Sequence, residues 1–308
     1  MDRRQFLGAA ATGAGAALSV GSAAAEARAE GAKPASRAKF RMKYAPHFGM
    51  FKASAGQDPI DQLKFAADQG FLAWEDNGMM GKAPDLQEKI GKAMQDLGMT
   101  MGVFVSRLAG GTDLVSKTGK DLQDQIRKNL QASIETAKRV HAKWTTVVPG
   151  GVDQRLEWDY MTANCIENLK VAAEVCEPAG LVMVLEPLNW WANPPGLFLH
   201  KIPQAYLICK AVGSPSCKIL DDLYHQQVQE GNLIPNMEKA WDEIGYIQIG
   251  DNPGRKEPTT GEINYRNIFK WLHNKGYKGV LGMEHGNSQP GVEGEQALIE
   301  AYRYCDGF

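Results

Sequence analysis

Four short apolar runs in this chain end on, or carry, an oxygen-bearing side chain. Residues 182–186 read V-M-V-L-E and are followed by Pro187; residues 217–222 read C-K-I-L-D-D; residues 280–284 read V-L-G-M-E; and Gln248 lies inside Y-I-Q-I at 246–249. An apolar run closing on an acid predicts a buried strand that delivers the acid at its carboxyl end. Three carboxylates and one amide delivered in this way are hard oxygen donors, the set that a divalent cation such as Mn2+ or Mg2+ takes. No cysteine and no obligatory histidine belongs to that set. The run alone leaves open which of Asp221 and Asp222 is the donor.

The elements that must position these groups follow a repeated plan. Strands are predicted at 41–44, 72–75, 99–105, 145–148, 182–186, 218–220, 246–249 and 279–283. Helical spacing of apolar residues predicts helices at 58–69, 85–97, 122–140, 160–179, 202–212, 236–244, 265–274 and 294–302, several of them stopped by glycine. Eight strand-then-helix units in a segment near the ~250 residues usual for a closed barrel predict an α/β fold, a single (β/α)8 TIM barrel over residues 39–308. An open doubly wound sheet would carry a glycine-rich phosphate loop after its first strand, and Tyr44-Ala45-Pro46-His47 is nothing like one. In a barrel the chemistry lies at the carboxyl ends of the strands, where the acids fall.

With 44% apolar and 23% charged residues, 308 residues can bury a large core. A net charge of −2, without a block of five like charges, predicts no nucleic acid partner and no anionic membrane surface. The first 27 residues differ in kind. Asp2-Arg3-Arg4-Gln5-Phe6-Leu7 places paired arginines before an Ala/Gly-rich apolar segment and small residues through Ala25 and Ala27. Residues 1–27 therefore resemble a twin-arginine export signal, residues 28–38 read as a linker, and the expected location is periplasmic or otherwise exported. No other stretch approaches the ~20 apolar residues of a membrane span, so no membrane association is expected after cleavage. The five cysteines are odd in number, lack C-x-x-C spacing and read as small buried hydrophobes, with a Cys165/Cys176 pair left open.

Five short motifs carry a more specific likeness. E-P-L-N at 186–189, D-L-Y-H at 222–225, Q-I-G-D-N-P-G-R at 248–255, T-G-E-I-N-Y at 260–265 and M-E-H at 283–285 resemble the hydroxypyruvate isomerase family, one of the xylose isomerase-like barrels that also include ketose 3-epimerases. The likeness covers roughly residues 40–300 and rests on the order and spacing of the five motifs. It implies that Glu186, Asp222, Gln248 and Glu284 bind one divalent metal ion, Mn2+ or Mg2+, and that Glu186 and Glu284 exchange protons with the substrate. It also implies that His225 hydrogen-bonds a substrate oxygen and that Arg255 lines the mouth. Read alone, His225 could equally be a satisfied core histidine and Arg255 a solvated loop residue.

The chain departs from that family after E-P-L-N, where Trp190 and Trp191 stand in place of an arginine and the loop is longer. Two tryptophans suggest a stacking wall for a neutral and larger sugar. The first loop, residues 46–51, differs as well and puts His47 among the candidate substrate contacts, while Trp74-Glu75-Asp76-Asn77 adds polar groups able to read hydroxyls.

The expected protein is a metal-dependent sugar isomerase or epimerase, working through an enediolate on a small sugar or hydroxy-carbonyl substrate. The alternatives are an exported sugar-binding or accessory barrel without turnover, disfavoured by the matched pair of glutamates, and a metal-dependent endonuclease, disfavoured by only six histidines, the net charge of −2 and the expected export. A homo-oligomer is compatible with each.

Overall fold

Successive side chains on a strand point to opposite faces, and that alternation sorts the apolar residues of this chain into two sets. Ala45, Ala73, Val103, Val184, Leu220, Tyr246 and Val280 form a small buried cluster with Trp144 and Val182 packed on it. All eight strand segments contribute to this cluster, which fills the inside of the barrel. The intervening residues, among them Tyr44, Trp74, Met183, Ile219, Ile247 and Leu281, face outward into a larger core beneath the helices.

These residues belong to a computed structural model that describes residues 37–193 and 195–308. The expected export signal (1–27) and the linker as far as residue 36 lie outside the described residues. Arg37, near the end of the expected linker, donates its backbone N–H to Asp68 O at 2.8 Å. No helix among the described residues is long and apolar enough to cross a membrane.

The strands are β1 Lys43–Ala45, β2 Ala73–Trp74, β3 Thr100–Met101, β4 Trp144–Val147, β5 Val182–Leu185, β6 Cys217–Asp222, β7 Ile244–Gln248 and β8 Val280–Gly282. All pair in parallel, six in the order β1-β8-β7-β6-β5-β4 and two as β2-β3. Backbone hydrogen bonds just past the short strands close the two seams. Glu75 N–H reaches Pro46 O (3.0 Å) between β1 and β2; Thr146 N–H reaches Phe104 O (2.8 Å) and Ser106 N–H reaches Thr146 O (2.9 Å) between β3 and β4. The circuit is the expected (β/α)8 TIM barrel, with β2 and β3 shorter than the sequence predicts. Past Met101 the chain leaves the pleat at Gly102, where a Cβ would fall 2.3 Å from the Tyr246 hydroxyl.

The outer helices are α1 Pro59–Asp68, α2 Pro84–Asp96, α3 Lys120–Val140, α4 Trp158–Cys176, α5 Ile202–Val212, α6 Leu233–Ala240, α7 Tyr265–Asn274 and α8 Gly291–Asp306. Their starts are built as the sequence suggests. Asp58 accepts from the N–H groups of Ile60 and Asp61, and Asn264 accepts from Asn267, satisfying donors that a helix end leaves free. Gly213 ends α5 at φ 70°, a backbone conformation open to glycine. Short helices at Lys52–Ala55, Asp113–Ser116 and Leu223–Gln229 were not predicted; the last begins where the Asp222 side chain caps Tyr224 N–H. All five cysteines are buried and free.

Candidate active site

Two residues beyond the interior cluster on each strand, the same inward phase meets the mouth of the barrel. From Ala45 it reaches His47, from Ala73 Glu75, from Val184 Glu186, from Leu220 Asp222 and from Tyr246 Gln248; from Val280 it passes Gly282 to Glu284. The phase resolves the choice between the paired aspartates. Asp222 points inward with Leu220, and Asp221 points outward with Ile219.

Asp222 is fully buried and receives three neighbours. Its Oδ1 accepts Tyr224 N–H at 2.9 Å, and its Oδ2 accepts Arg255 Nη2 at 2.8 Å with His225 Nε2 at 3.5 Å. Arg255 Nη2 also lies 3.1 Å from Glu284 Oε2, an ion pair whose angle does not make a hydrogen bond, because that oxygen is buried without a partner. Asn77 donates to the other oxygen, Glu284 Oε1, at 3.0 Å. Glu186, Asp222 and His225 each place one ligand-type atom within 4.8 Å of the others, the one such group of His, Cys, Asp and Glu among the described residues.

The electrostatics suit proton transfer. Burial, with Glu284 and Asp222 nearby, pushes Glu186 well above the usual carboxylate range. Burial lifts Glu284 to about 7, against the opposing pull of Arg255. Burial lowers His225, which is therefore neutral at ordinary pH. Its tautomer is fixed by Asn189, whose backbone N–H (3.2 Å) and side-chain amide (2.7 Å) both meet Nδ1. The amide is itself held the right way round, because Asn189 Oδ1 accepts from the N–H groups of Trp191 (3.0 Å) and Ala192 (2.6 Å). With Nδ1 accepting, the proton sits on Nε2, 3.8 Å from Glu186 Oε1. In this state His225 offers the site a donor and no lone pair.

The loop bearing Arg255 is folded by Asp251. This buried carboxylate accepts from the N–H groups of Asn252 (2.9 Å), Gly261 (2.9 Å) and Ile263 (3.1 Å), so Q-I-G-D and T-G-E-I form one tied unit. Glycine is required at 261, where a Cβ would lie 2.2 Å from Asn252 O. The Arg255 guanidinium rests 5.1 Å over the Tyr224 ring. Beside it opens a cavity of about 430 Å3 walled by His47, Phe48, Glu75, Asn77, Glu284 and the His285-Gly286 turn. Glu186, Asp222, Gln248 and His225 are not among its walls; Arg255, which is, links it to Asp222.

His47 reaches this cavity, its Nε2 3.1 Å from His285 O. The tryptophans do not, which corrects the expected stacking wall. Trp190 stacks on His200 at 4.3 Å and donates its indole N–H to Leu197 O, while Trp191 is 78% exposed and serves the site through its backbone N–H. Phe48 is the aromatic wall instead. Sequence reasoning also passed over Asn189 as the residue that sets His225; its place in E-P-L-N was the available signal. His285 faces outward, bound to the Tyr302 hydroxyl at 2.7 Å, and is structural.

An oxygen-binding cation fits this donor set. Gln248 Oε1 is buried with no hydrogen-bond partner, an arrangement that costs free energy unless something electropositive faces it, whereas Glu284 Oε2, also without a hydrogen bond, is already faced by Arg255 Nη2 at 3.1 Å.

A family model described as "Xylose isomerase-like TIM barrel" matches residues 63–306, and the chain belongs to that family. It is similar to hydroxypyruvate isomerase of Escherichia coli K12, 33% identical over 181 residues that span 59% of this chain and 69% of the relative. A 2-oxo-tetronate isomerase of Cupriavidus necator is 29% identical over 233 residues, 73% of this chain and 86% of the relative. Among solved structures, one titled AP endonuclease, family 2, from Brucella melitensis superposes with a TM-score of 0.72 at 24% identity, covering 85% of this chain and 99% of that one; the likeness is one of fold.

Proposed function

We propose that this protein is an exported, divalent-metal-dependent isomerase or epimerase acting on a small sugar or hydroxy-carbonyl compound. One observation carries the reading: Glu186, just past β5, and Glu284, just past β8, reach the same barrel mouth, Glu186 Oε1 3.8 Å from His225 Nε2 and Glu284 Oε2 3.1 Å from Arg255 Nη2. Moving a proton from the carbon beside a carbonyl needs a base, an acid to return it, and positive charge where the oxyanion forms. Glu186 and Glu284 are the two proton carriers. His225 Nε2–H is the donor available to a substrate oxygen, and Arg255, paired with Asp222 and Glu284, lines the mouth. Asn77 ties one oxygen of Glu284, and the other is ion-paired with Arg255.

Glu186, Asp222, Gln248 and Glu284 would hold the cation, with all-oxygen donors favouring Mn2+ or Mg2+ over Zn2+. When bound, it supplies Lewis-acid stabilisation of the developing enediolate charge. The name of the Escherichia coli relative and the motif order support this class of reaction, and the paired arginines at residues 3 and 4 support the twin-arginine route to the periplasm. A nuclease is not supported. The described residues gather one small acid/histidine group, and the chain is net negative.

The test is incubation of Mn2+-loaded protein with a panel of ketoses, aldoses and short hydroxy-carbonyl compounds in deuterated water, followed by NMR. Deuterium uptake at a carbon next to the carbonyl is expected for at least one compound and should stop on chelation. Binding of sugars with exchange into none of them would favour the non-catalytic sugar-binding reading.

A further inference from the structure

The proton carriers leave one buried acid of the barrel mouth unused. Glu75, just past β2, is 2% exposed, and two donors hold it: Tyr246 O–H on Oε2 at 2.9 Å and Gln248 Nε2 on Oε1 at 3.4 Å. The backbone makes room for this group at two glycines. A Cβ at Gly282 would lie 2.0 Å from Glu75 Oε2, and one at Gly102 would lie 2.3 Å from the Tyr246 hydroxyl. A side chain at either position would expel Glu75 or its partner, so the fold keeps space for an acid inside its own core.

An amide has a donating and an accepting end, and both Glu75 oxygens act as acceptors in the fold, Oε2 for Tyr246 O–H and Oε1 for Gln248 Nε2. Gln248 Nε2 is thus turned to Glu75. Its oxygen, Oε1, buried and without a partner, is left for the site. We infer that Glu75 is a positioning residue: it fixes the orientation of the Gln248 amide so that Oε1 is presented to the divalent cation. This rests on the reading of Glu186, Asp222, Gln248 and Glu284 as the cation site. An aligned oxygen lowers the cost of metal binding because no amide rotation or competing N–H dipole has to be overcome.

The experiment measures Mn2+ affinity by EPR titration in wild type, Glu75→Gln, and Glu75→Gln combined with Gln248→Glu, with circular dichroism confirming the fold. In Glu75→Gln the partner offers both a donor and an acceptor, so Gln248 can turn either end to the site. Mn2+ binding should weaken about 10–100-fold, the usual effect of losing a residue that orients a ligand. In the double variant the amide at 75 again donates, now to a carboxylate at 248 whose free oxygen faces the site, and affinity should return to within about threefold of wild type or better. Because a carboxylate ligand tightens Mn2+ by its charge alone, Gln248→Glu is titrated as well: with two acids facing each other and no donor between them it should bind more weakly than the double variant, whereas an effect of charge alone would make it bind more tightly. If Glu75→Gln does not fold, Tyr246→Phe takes its place, and loss of the hydroxyl that steadies Oε2 should weaken Mn2+ severalfold. Wild-type affinity in Glu75→Gln, or a double variant as weak as the single, overturns the inference. Wild type that takes up no Mn2+ overturns the cation reading together with it.

Discussion

Nδ1 of His225 accepts two hydrogen bonds from one residue, the backbone and side-chain N–H groups of Asn189, and this pins the imidazole proton on the side facing Glu186 and Asp222. A histidine in a core usually finds one partner, and its tautomer then depends on surroundings that can change. Here the Nε2–H donor is set by the turn that follows β5. Asn189→Ala should remove the shorter bond, leaving only the backbone N–H at 3.2 Å to hold the ring, and leave Trp191 and Ala192 N–H without their acceptor. The expected result is a 10–100-fold fall in kcat/KM with metal content unchanged, and 15N NMR of the imidazole should show the Nε2–H form giving way to a mixture. An unaltered tautomer and rate would remove Asn189 from the site's machinery.

Arg255 neutralises Asp222 and Glu284 in the metal-free protein through a single nitrogen. Its side chain is 29% exposed, so its loss should cost less than breaking a fully buried pair, about 1–2 kcal/mol. Arg255→Gln is expected to lower the melting temperature of metal-free protein, to bind Mn2+ more tightly because no cation competes for the same oxygens, and to recover wild-type stability once loaded. Thermal unfolding with and without Mn2+ reads all three. An equal melting temperature for both metal-free proteins would mean that Arg255 does not stabilise the acids.

Asp221, turned outward beneath the helices, is 1% exposed, and its Oδ1 has no partner. Burial, then Asp222 and Glu230, raises it to about 8. Because the folded value exceeds the unfolded one, about 3.9, the protonated acid favours the fold below pH ~4, and that advantage is lost as pH rises through about 8. Asp221→Asn has no proton to lose. Its stability relative to wild type should climb between pH 4 and 8 and then level off, with about 1.4 kcal/mol per pH unit as the upper limit. Urea unfolding across that range is the measurement, and a difference independent of pH would mean that Asp221 is ionised in the fold throughout.

The architecture and most of the site were legible because both follow from alternation and periodicity. Apolar runs ending on Glu186 and Glu284 are strands ending at the barrel mouth, and α7 occupies the residues its spacing predicts, 265–274. Other features depend on contacts that no local pattern encodes. Glu75 and Gln248 are 173 positions apart, and only closure of the barrel brings them together. The tryptophans show the converse limit. Adjacent aromatic residues announce a packed turn, but whether Trp190 faces the substrate or His200 is settled by the path of residues 190–200, which their composition does not determine. Likewise D-L-Y-H reads as a motif with a ligand and a contact, and its helical form follows only once Asp222 caps the Tyr224 N–H.

Everything proposed for the reaction depends on Glu186 and Glu284 carrying the proton, and replacing each by glutamine tests this most directly. Glu186→Gln and Glu284→Gln keep an oxygen donor and nearly the same volume while removing the base. With Mn2+ content verified and a responsive substrate in deuterated water, both variants should fold and bind substrate yet turn over ~10²-fold or more slowly. The variant that retains the base for the first step should still exchange the substrate proton without completing the conversion. Near-normal turnover in either variant, at full metal occupancy, would contradict the two-glutamate mechanism.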